Sequence, residues 1–512
     1  MSTYVFAIGG TGVRVLRSLT MLLAAGCKGC SSTHDIVPIV IDYDKTNGDT
    51  KRTTDLLKNY QKIHQAAYDN QHSCVEHFFC TPLPRIADKI ENRPVGPILV
   101  GASNEMDKRY TLDITDVPAN TSYADYIGFN HLSEEKGTQQ TRDLLTSLYD
   151  ASDSNDPCTE LNLNLEKGFK GCPNIGCVVT EGLKNNQQIL NLLGLLNPVS
   201  NDRVIVVGSL FGGTGAAGIP LVIDLIRNHP NGKNIPLGVL AVMPYFKIES
   251  IQGSAINSAT FKAKTKAALH AYQSSLNKKI NVIYYIGDEA VNQGLKYNEG
   301  GPGQKNRAHV IEFISAMGIM HFTGVSMNQA ANEPLAYEYG LEDDPADGSA
   351  LRYASFYKEE TRDLYFDSLT KLVVFNTFCK KYFLANKEDA NDTWLINTTL
   401  KTKNDFKNEL STFIDTFNEW LGELESGDRQ LKLYNVEKGY VELLAWKKLV
   451  IERKFWRDKY AYSEEDIRTL LAQSYDKHKG EQDLAAHPER MFFVNMQEAM
   501  KGISQKIEQF NN

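Results

Sequence analysis

The 512-residue sequence has no apolar run long enough to cross a bilayer, which takes about 20 residues. The best candidate near the start, residues 15–25, is interrupted by Arg17 and Ser18. It follows a glycine loop rather than a basic leader, so it does not read as a signal peptide. A basic excess is also missing. The formal charge is -8, whereas a surface for duplex nucleic acid needs clustered Lys and Arg. That charge is too mild for an acidic solvating tail. The expectation is a cytoplasmic protein with no membrane span and no nucleic-acid partner.

Cysteine is sparse and shows no disulfide framework: the 8 residues are scattered, as suits a reducing compartment. One cluster has to be weighed. Cys27 and Cys30 form a C-x-x-C pair, and His72, Cys74, His77 and Cys80 lie close together further on. Zinc could draw four ligands from that set. No second C-x-x-C accompanies it, and the two groups stand roughly forty residues apart. Small buried thiols, with no metal site, are the reading adopted. Internal repeats are absent as well.

The chain that remains is of ordinary globular composition, 42% hydrophobic and 23% charged, and long enough for about two to four domains. Residues 4–8 are a short apolar run ending in Gly9-Gly10-Thr11-Gly12, and Val13, Leu16, Leu19 and Leu23 then fall on successive helical turns. A second apolar run, 36–41, ends in Asp42-Tyr43-Asp44. Strand, glycine loop, helix and strand in that order predict a parallel α/β sheet. Residues 84–167 interrupt the pattern, with a strand expected at 97–101, a polar helix at 138–149 and a loop at 150–157. Alternation resumes with residues 174–179 leading into a helix through Leu195. Strands at 203–207, 236–243 and 281–286 and helices at 216–227 and 254–276 are expected after it. Two polar loops, 294–306 and 328–349, bracket a helix carrying Val310, Phe313, Ile314, Met317, Met320 and His321. Beyond 350 only helices are expected, the strongest with Phe406, Leu410, Phe413, Ile414, Phe417, Leu421 and Leu424 on one stripe.

The segment richest in chemistry is Gly208-Ser-Leu-Phe-Gly212-Gly213-Thr214-Gly215-Ala-Ala-Gly218, set between a strand and a helix. Glycines there let the backbone turn tightly, and the helix N-terminus adds free N–H groups and partial positive charge. Phosphate oxygens are the natural occupant. No Lys follows the glycines, so the loop is not a Walker loop. The first loop lacks the G-x-G-x-x-G spacing of a dinucleotide fold, which ranks an NAD-dependent Rossmann enzyme last.

The segment Gly212-Gly213-Thr214-Gly215 resembles the G-G-G-T-G-(S/T)-G loop of the tubulin/FtsZ superfamily, with Ala216 and Ala217 in place of the last polar pair. Three further segments resemble that family's loops in the same order. They are Gly9-Gly10-Thr11-Gly12, with Val13 where an Asn or Gln is usual; Asp42-Tyr43-Asp44; and the loop from Gly168 through Gly171 and Pro173 to Gly176. After Met243-Pro244-Tyr245-Phe246 the chain resembles Pro-Phe-x-x-Glu, which would put Glu249 at the ribose. The resemblance implies a tubulin/FtsZ-like nucleotide-binding domain over 1–305 with an insertion at about 84–167. A central helix at 306–325 would follow, its apolar stripe read as core and a base contact from His309 or Glu312 as the lesser alternative, then a mostly helical region over 326–512. It implies GTP or GDP with Mg²⁺ as ligands, head-to-tail self-association, and slow hydrolysis completed at subunit junctions. Gly287 and Asp288 stand where the family's guanine-reading Asn belongs, which leaves ATP open. The family's catalytic acid loop has no match, and Asn328, Glu333 and Glu338 are the nearest polar candidates. The alternative is a non-polymerising nucleotide switch or scaffold in a bacterial defence-type system, with the C-terminal helices as a surface for a protein partner.

Overall fold

The computed structural model describes residues 1–68, 73–91, 109–114, 117–132, 138–149, 160–248, 260–288, 294–295, 300–326, 333–342, 350–385, 400, 403–427, 429–437, 440–442 and 464–509. Ten strands are numbered here in chain order. They are β1 (Ser2–Ile8), β2 (Asp35–Ile41), β3 (Arg203–Ser209), β4 (Leu237–Val242), β5 (Lys247–Ile248), β6 (Val282–Ile286), β7 (Gly294–Leu295), β8 (Leu335–Glu338), β9 (Asn435–Glu437) and β10 (Tyr440–Glu442). Six form one sheet in the order β2-β1-β3-β4-β6-β8. Every pairing in it is parallel.

A parallel strand buried on both faces has no polar side, and β1 and β4 are buried at every residue. Tyr4, Phe6 and Ile8 enter one hydrophobic layer while Val5 and Ala7 enter the other. This is the two-residue alternation of a strand sorting side chains between two cores. Strand β2 is buried at all but its first residue as well. Pro38 in its middle has no N–H to give, and β2 lies at the edge of the sheet, where that omission is tolerated.

Helices cover both faces. The first, Gly9–Ala24, lies in the same layer as the central helix Val310–Gly324, which is buried nearly all round. The helix Gly213–Asn228 packs into the opposite layer through Ile219, Val222, Ile223 and Ile226. Past the central helix the chain is mainly helical, with Asp367–Phe378, Asn404–Ser426, Glu464–His478 and Pro488–Gln509. On Asn404–Ser426 the expected stripe is buried, joined by Trp420, whose indole N–H donates to Ser18 Oγ at 3.2 Å. The C-terminal helices share one hydrophobic cluster with the first and central helices.

Several expectations need correction. The 328–349 segment contains β8, a sixth sheet strand pairing with β6, which extends the sheet past the central helix. It is four residues long and largely exposed, so it carries no apolar run. The region beyond 350 is not helical throughout, because β9 and β10 form an antiparallel pair. The segment expected to run through Leu195 is two helices, Pro173–Thr180 and Gln187–Leu195. Asn186 ends the first stretch and caps the second by accepting from the Gln188 and Ile189 N–H groups. The strand expected at 97–101 and the loop at 150–157 lie outside the described residues. No helix among the described residues is long and apolar enough to cross a membrane.

Candidate functional site

Ile8 stands opposite Ile41 on one side and Gly208 on the other, so β1, β2 and β3 end almost level. The chain leaves β1 toward β2 and leaves β3 toward β4, in opposite directions along the sheet. Right-handed crossovers then place the two following helices on opposite faces, and a crevice opens between the loops at this switch point. A cleft of about 180 Å³ lies there.

Gly9, Gly10, Thr11, Asp42, Asp44, Gly171, Gly212, Gly213, Thr214 and Gly215 all line it. Residues from four loops far apart in sequence therefore meet in one cavity. Gly12 and Pro173 do not line it. A Cβ on Gly12 would fall 2.8 Å from the Val207 carbonyl oxygen, so this glycine lets the helix lie against the sheet. Pro173 opens the helix Pro173–Thr180. Glu249 lies outside the described residues.

Two helix N-termini face the cleft. The helices at Gly9 and Gly213 have no side-chain cap and no acid in the first turn, which leaves first-turn N–H groups for a ligand. Gly9 has φ +67°, and a Cβ there would come 3.2 Å from Thr214 Cβ, so the two glycine loops meet at a position only glycine fills easily. The third wall is the loop 167–171. Its Gly168, Lys170 and Gly171 all line the cleft and have positive φ, of 75°, 42° and 78°. It is held by Tyr43, whose ring packs 4.7 Å from that of Phe169, and by Lys264 Nζ donating to the Gly171 carbonyl at 2.5 Å.

The acidic side differs between its two carboxylates. Asp44 accepts from the Gly301 N–H at 2.6 Å and from Thr46, so it ties down the loop at 300–306. Asp42 accepts from Thr50 Oγ1 at 3.0 Å and the Asp44 N–H at 3.2 Å. Burial pushes Asp42 up to about 7, and the charges of Asp44 and Asp49 add to the rise against those two hydrogen bonds. An unfolded Asp titrates near about 3.9. The folded state therefore holds an extra proton between these values, and the stability this gives is lost as pH rises from about 4 through 7. Asp42→Asn is expected to flatten that slope, worth roughly 2–4 kcal/mol, in urea midpoints of the ligand-free protein measured across pH 4–8. An identical pH profile in the variant would refute the assignment.

Sequence reasoning missed several residues of the cleft. Arg14 lines it from the first helix, and Asn47, Gln304 and Asn306 line it from the β2 side. Arg14 is 6% exposed. Its Nε donates to Glu312 Oε1 at 2.5 Å and its NH2 to Tyr245 at 2.7 Å, while Tyr245 donates to the same Glu312 oxygen at 2.7 Å. Burial opposes the Arg14 charge, but Tyr245, Glu312 and Asp49 outweigh it and the guanidinium stays protonated. The signal was present. Arg14 and Arg17 are the only charged residues in an otherwise uncharged helix, and Glu312 is the sole carboxylate in the central helix.

Glu312 and His309 do not line the cleft. Glu312 Oε2 accepts from the His309 N–H, and His309 Nδ1 accepts from the Ile311 N–H, so the pair caps the central helix. Burial, with Arg14 and Arg429 nearby, pushes His309 down to about 3, which keeps the ring neutral and Nδ1 free to accept. Asp288 pairs with Arg429 at 3.3 Å, and Glu333 and Glu338 are exposed at the β8 edge. None of the three lines the cleft. Asn328 and His72 fall outside the described residues. Cys27, Cys30 and Cys80 are buried and Cys74 half-buried, and among the described residues no group of three His, Cys, Asp or Glu is arranged to hold a metal ion.

No protein-family model matches the chain, and no curated protein does.

Proposed function

We propose that the protein is a tubulin/FtsZ-like nucleotide-binding protein whose cleft takes the phosphates of a guanine nucleotide. The observation that carries this reading is the meeting of residues from four glycine or acidic loops at the switch point of a parallel sheet. Two uncapped helix N-termini, Arg14, and Lys167 and Lys170 of the loop 167–171 supply positive potential from several sides. Asp42 and Asp44 are hard oxygen donors lining the cleft, a set that suits Mg²⁺ bound by one or two carboxylates together with phosphate oxygens. When bound, that ion would neutralise charge on the terminal phosphates.

The alternative, a non-polymerising switch, is favoured by the C-terminal helices sharing a core with the first and central helices. Both readings predict slow turnover, because among the described residues Asp42 and Asp44 are the only carboxylates lining the cleft, and both already accept hydrogen bonds from their neighbours. They part on concentration dependence. Junction-completed hydrolysis rises faster than linearly with protein concentration, and a switch keeps constant specific activity.

The test is identification of the copurifying nucleotide, followed by calorimetry with Mg²⁺ and GTP, GDP or ATP. GTP is expected to bind tightest, and phosphate release with light scattering then separates filament from switch. Equal or tighter ATP binding would remove the guanine assignment. Failure of every nucleotide to bind would end the proposal.

A further inference from the structure

The cleft is held in shape by a chain of buried charges that ends outside the sheet, on a C-terminal helix. Asp49 stands next to the cavity at 2% exposure. It accepts from the Asn306 backbone N–H at 3.1 Å, from Asn306 Nδ2 at 2.9 Å and from Arg52 NH2 at 2.7 Å, and lies 3.6 Å from Arg14 NH1. Asn306 and Arg14 both line the cleft, so one carboxylate fixes two of its walls. Arg52 then reaches outward. Its NH2 also donates to the Asn306 carbonyl at 2.6 Å, and its NH1 donates to Glu423 Oε1 at 2.8 Å. The other oxygen of Glu423 accepts from the Ala308 N–H at 2.8 Å and from Arg17 NH1 at 2.5 Å.

Glu423 lies on the helix Asn404–Ser426, far from the glycine loops in sequence. We infer that Glu423 is a positioning residue for the nucleotide cleft, holding the 300–309 segment and, through Arg52 and Asp49, Arg14. This inference rests on the nucleotide reading of the cleft, and it assigns the C-terminal helix a part in ligand affinity. A network this buried tolerates few arrangements, since each charge left without its partner is heavily penalised in a low dielectric. Arg17 depends on its contact with Glu423: it is 3% exposed, and among the described residues its Nε and NH2 have no hydrogen-bond partner, which leaves NH1 paired with that carboxylate. Ligand held by Arg14 and the 300–306 loop therefore favours the docked position of Asn404–Ser426. By reciprocity, the docked helix favours the ligand.

The experiment compares Glu423→Gln with Leu410→Ala, a fully buried residue of the same helix that takes no part in the network. Backbone hydrogen exchange of residues 300–309 is measured first, on ligand-free protein. Exchange is expected to rise at least tenfold in Glu423→Gln and to stay near wild type in Leu410→Ala. Calorimetry with Mg²⁺ and GTP should then show at least tenfold weaker binding for Glu423→Gln only. Unchanged exchange at 300–309 in Glu423→Gln, or an equal rise in Leu410→Ala, would overturn the positioning role. If Glu423→Gln does not fold, the pair Arg17→Met with Glu423→Gln removes both buried charges and is read the same way. Wild-type protein that binds no nucleotide would remove the nucleotide reading, while the exchange comparison would still decide the positioning role.

Discussion

Gly10→Leu is expected to abolish nucleotide binding while leaving the protein as stable as wild type. A Cβ on Gly10 would meet only Arg14 NH1, at 3.6 Å, so the added side chain finds open space inside the cleft. A leucine there would occupy the volume in front of the first helix N-terminus, where phosphate oxygens are proposed to sit. Loss of at least 100-fold in affinity, about 2.7 kcal/mol, is the expected result by calorimetry. Thermal unfolding should not fall, since replacing glycine in a helical first turn gains about 0.5–1 kcal/mol of propensity. The choice of glycine matters. At Gly213 a Cβ would come 2.7 Å from Phe169 Cβ and 3.1 Å from the Cys172 nitrogen, so a valine there would push away the neighbouring loop and confuse binding with folding. Thr214→Val is the milder companion, keeping shape and losing only a hydroxyl that lines the cleft, for a loss of about 1 kcal/mol. Undiminished binding by Gly10→Leu would show that the ligand does not sit against this helix.

The glycine and acid loops were legible in the sequence because their chemistry is local. A strand ending in Gly9-Gly10-Thr11-Gly12 or in Asp42-Tyr43-Asp44 announces the turn from a few adjacent residues, and these loops do line one cleft. The central sheet was legible for a similar reason, since strands such as β1, β3 and β4 are continuous apolar runs bounded by such turns. What could not be read depends on long-range pairing. Asp49 holds Asn306, which lines the cleft, from a position 257 residues away. Glu423 joins Arg17 across 406 residues. In the sequence these are ordinary polar residues of helices and loops, and only the fold brings them together. The β8 strand was missed for a different reason: an exposed four-residue edge strand is defined by its hydrogen bonds to β6 rather than by any pattern of its own.

The largest stability effect is expected at Arg14, and it can be separated from the effect on binding. In Arg14→Leu the Glu312 carboxylate, 1% exposed, loses the only cation it pairs with among the described residues, with Tyr245 left as its side-chain partner there. A buried charge stranded in this way costs about 3–5 kcal/mol. Adding Glu312→Gln removes the stranded charge and keeps an oxygen to accept from the His309 N–H, so the cap of the central helix survives. The double variant should therefore recover all but about 1 kcal/mol of the loss in urea unfolding. Binding should not recover with it. Arg14 also lines the cleft, and its guanidinium is gone from single and double variants alike, so nucleotide affinity should stay low in both. A protein stable again yet still unable to bind would divide the two duties of one side chain. If Arg14→Leu unfolds at the wild-type urea midpoint, the buried pair is not holding the first helix to the central helix. If the double variant binds like wild type, Arg14 holds the fold alone and the phosphates are met by the backbone.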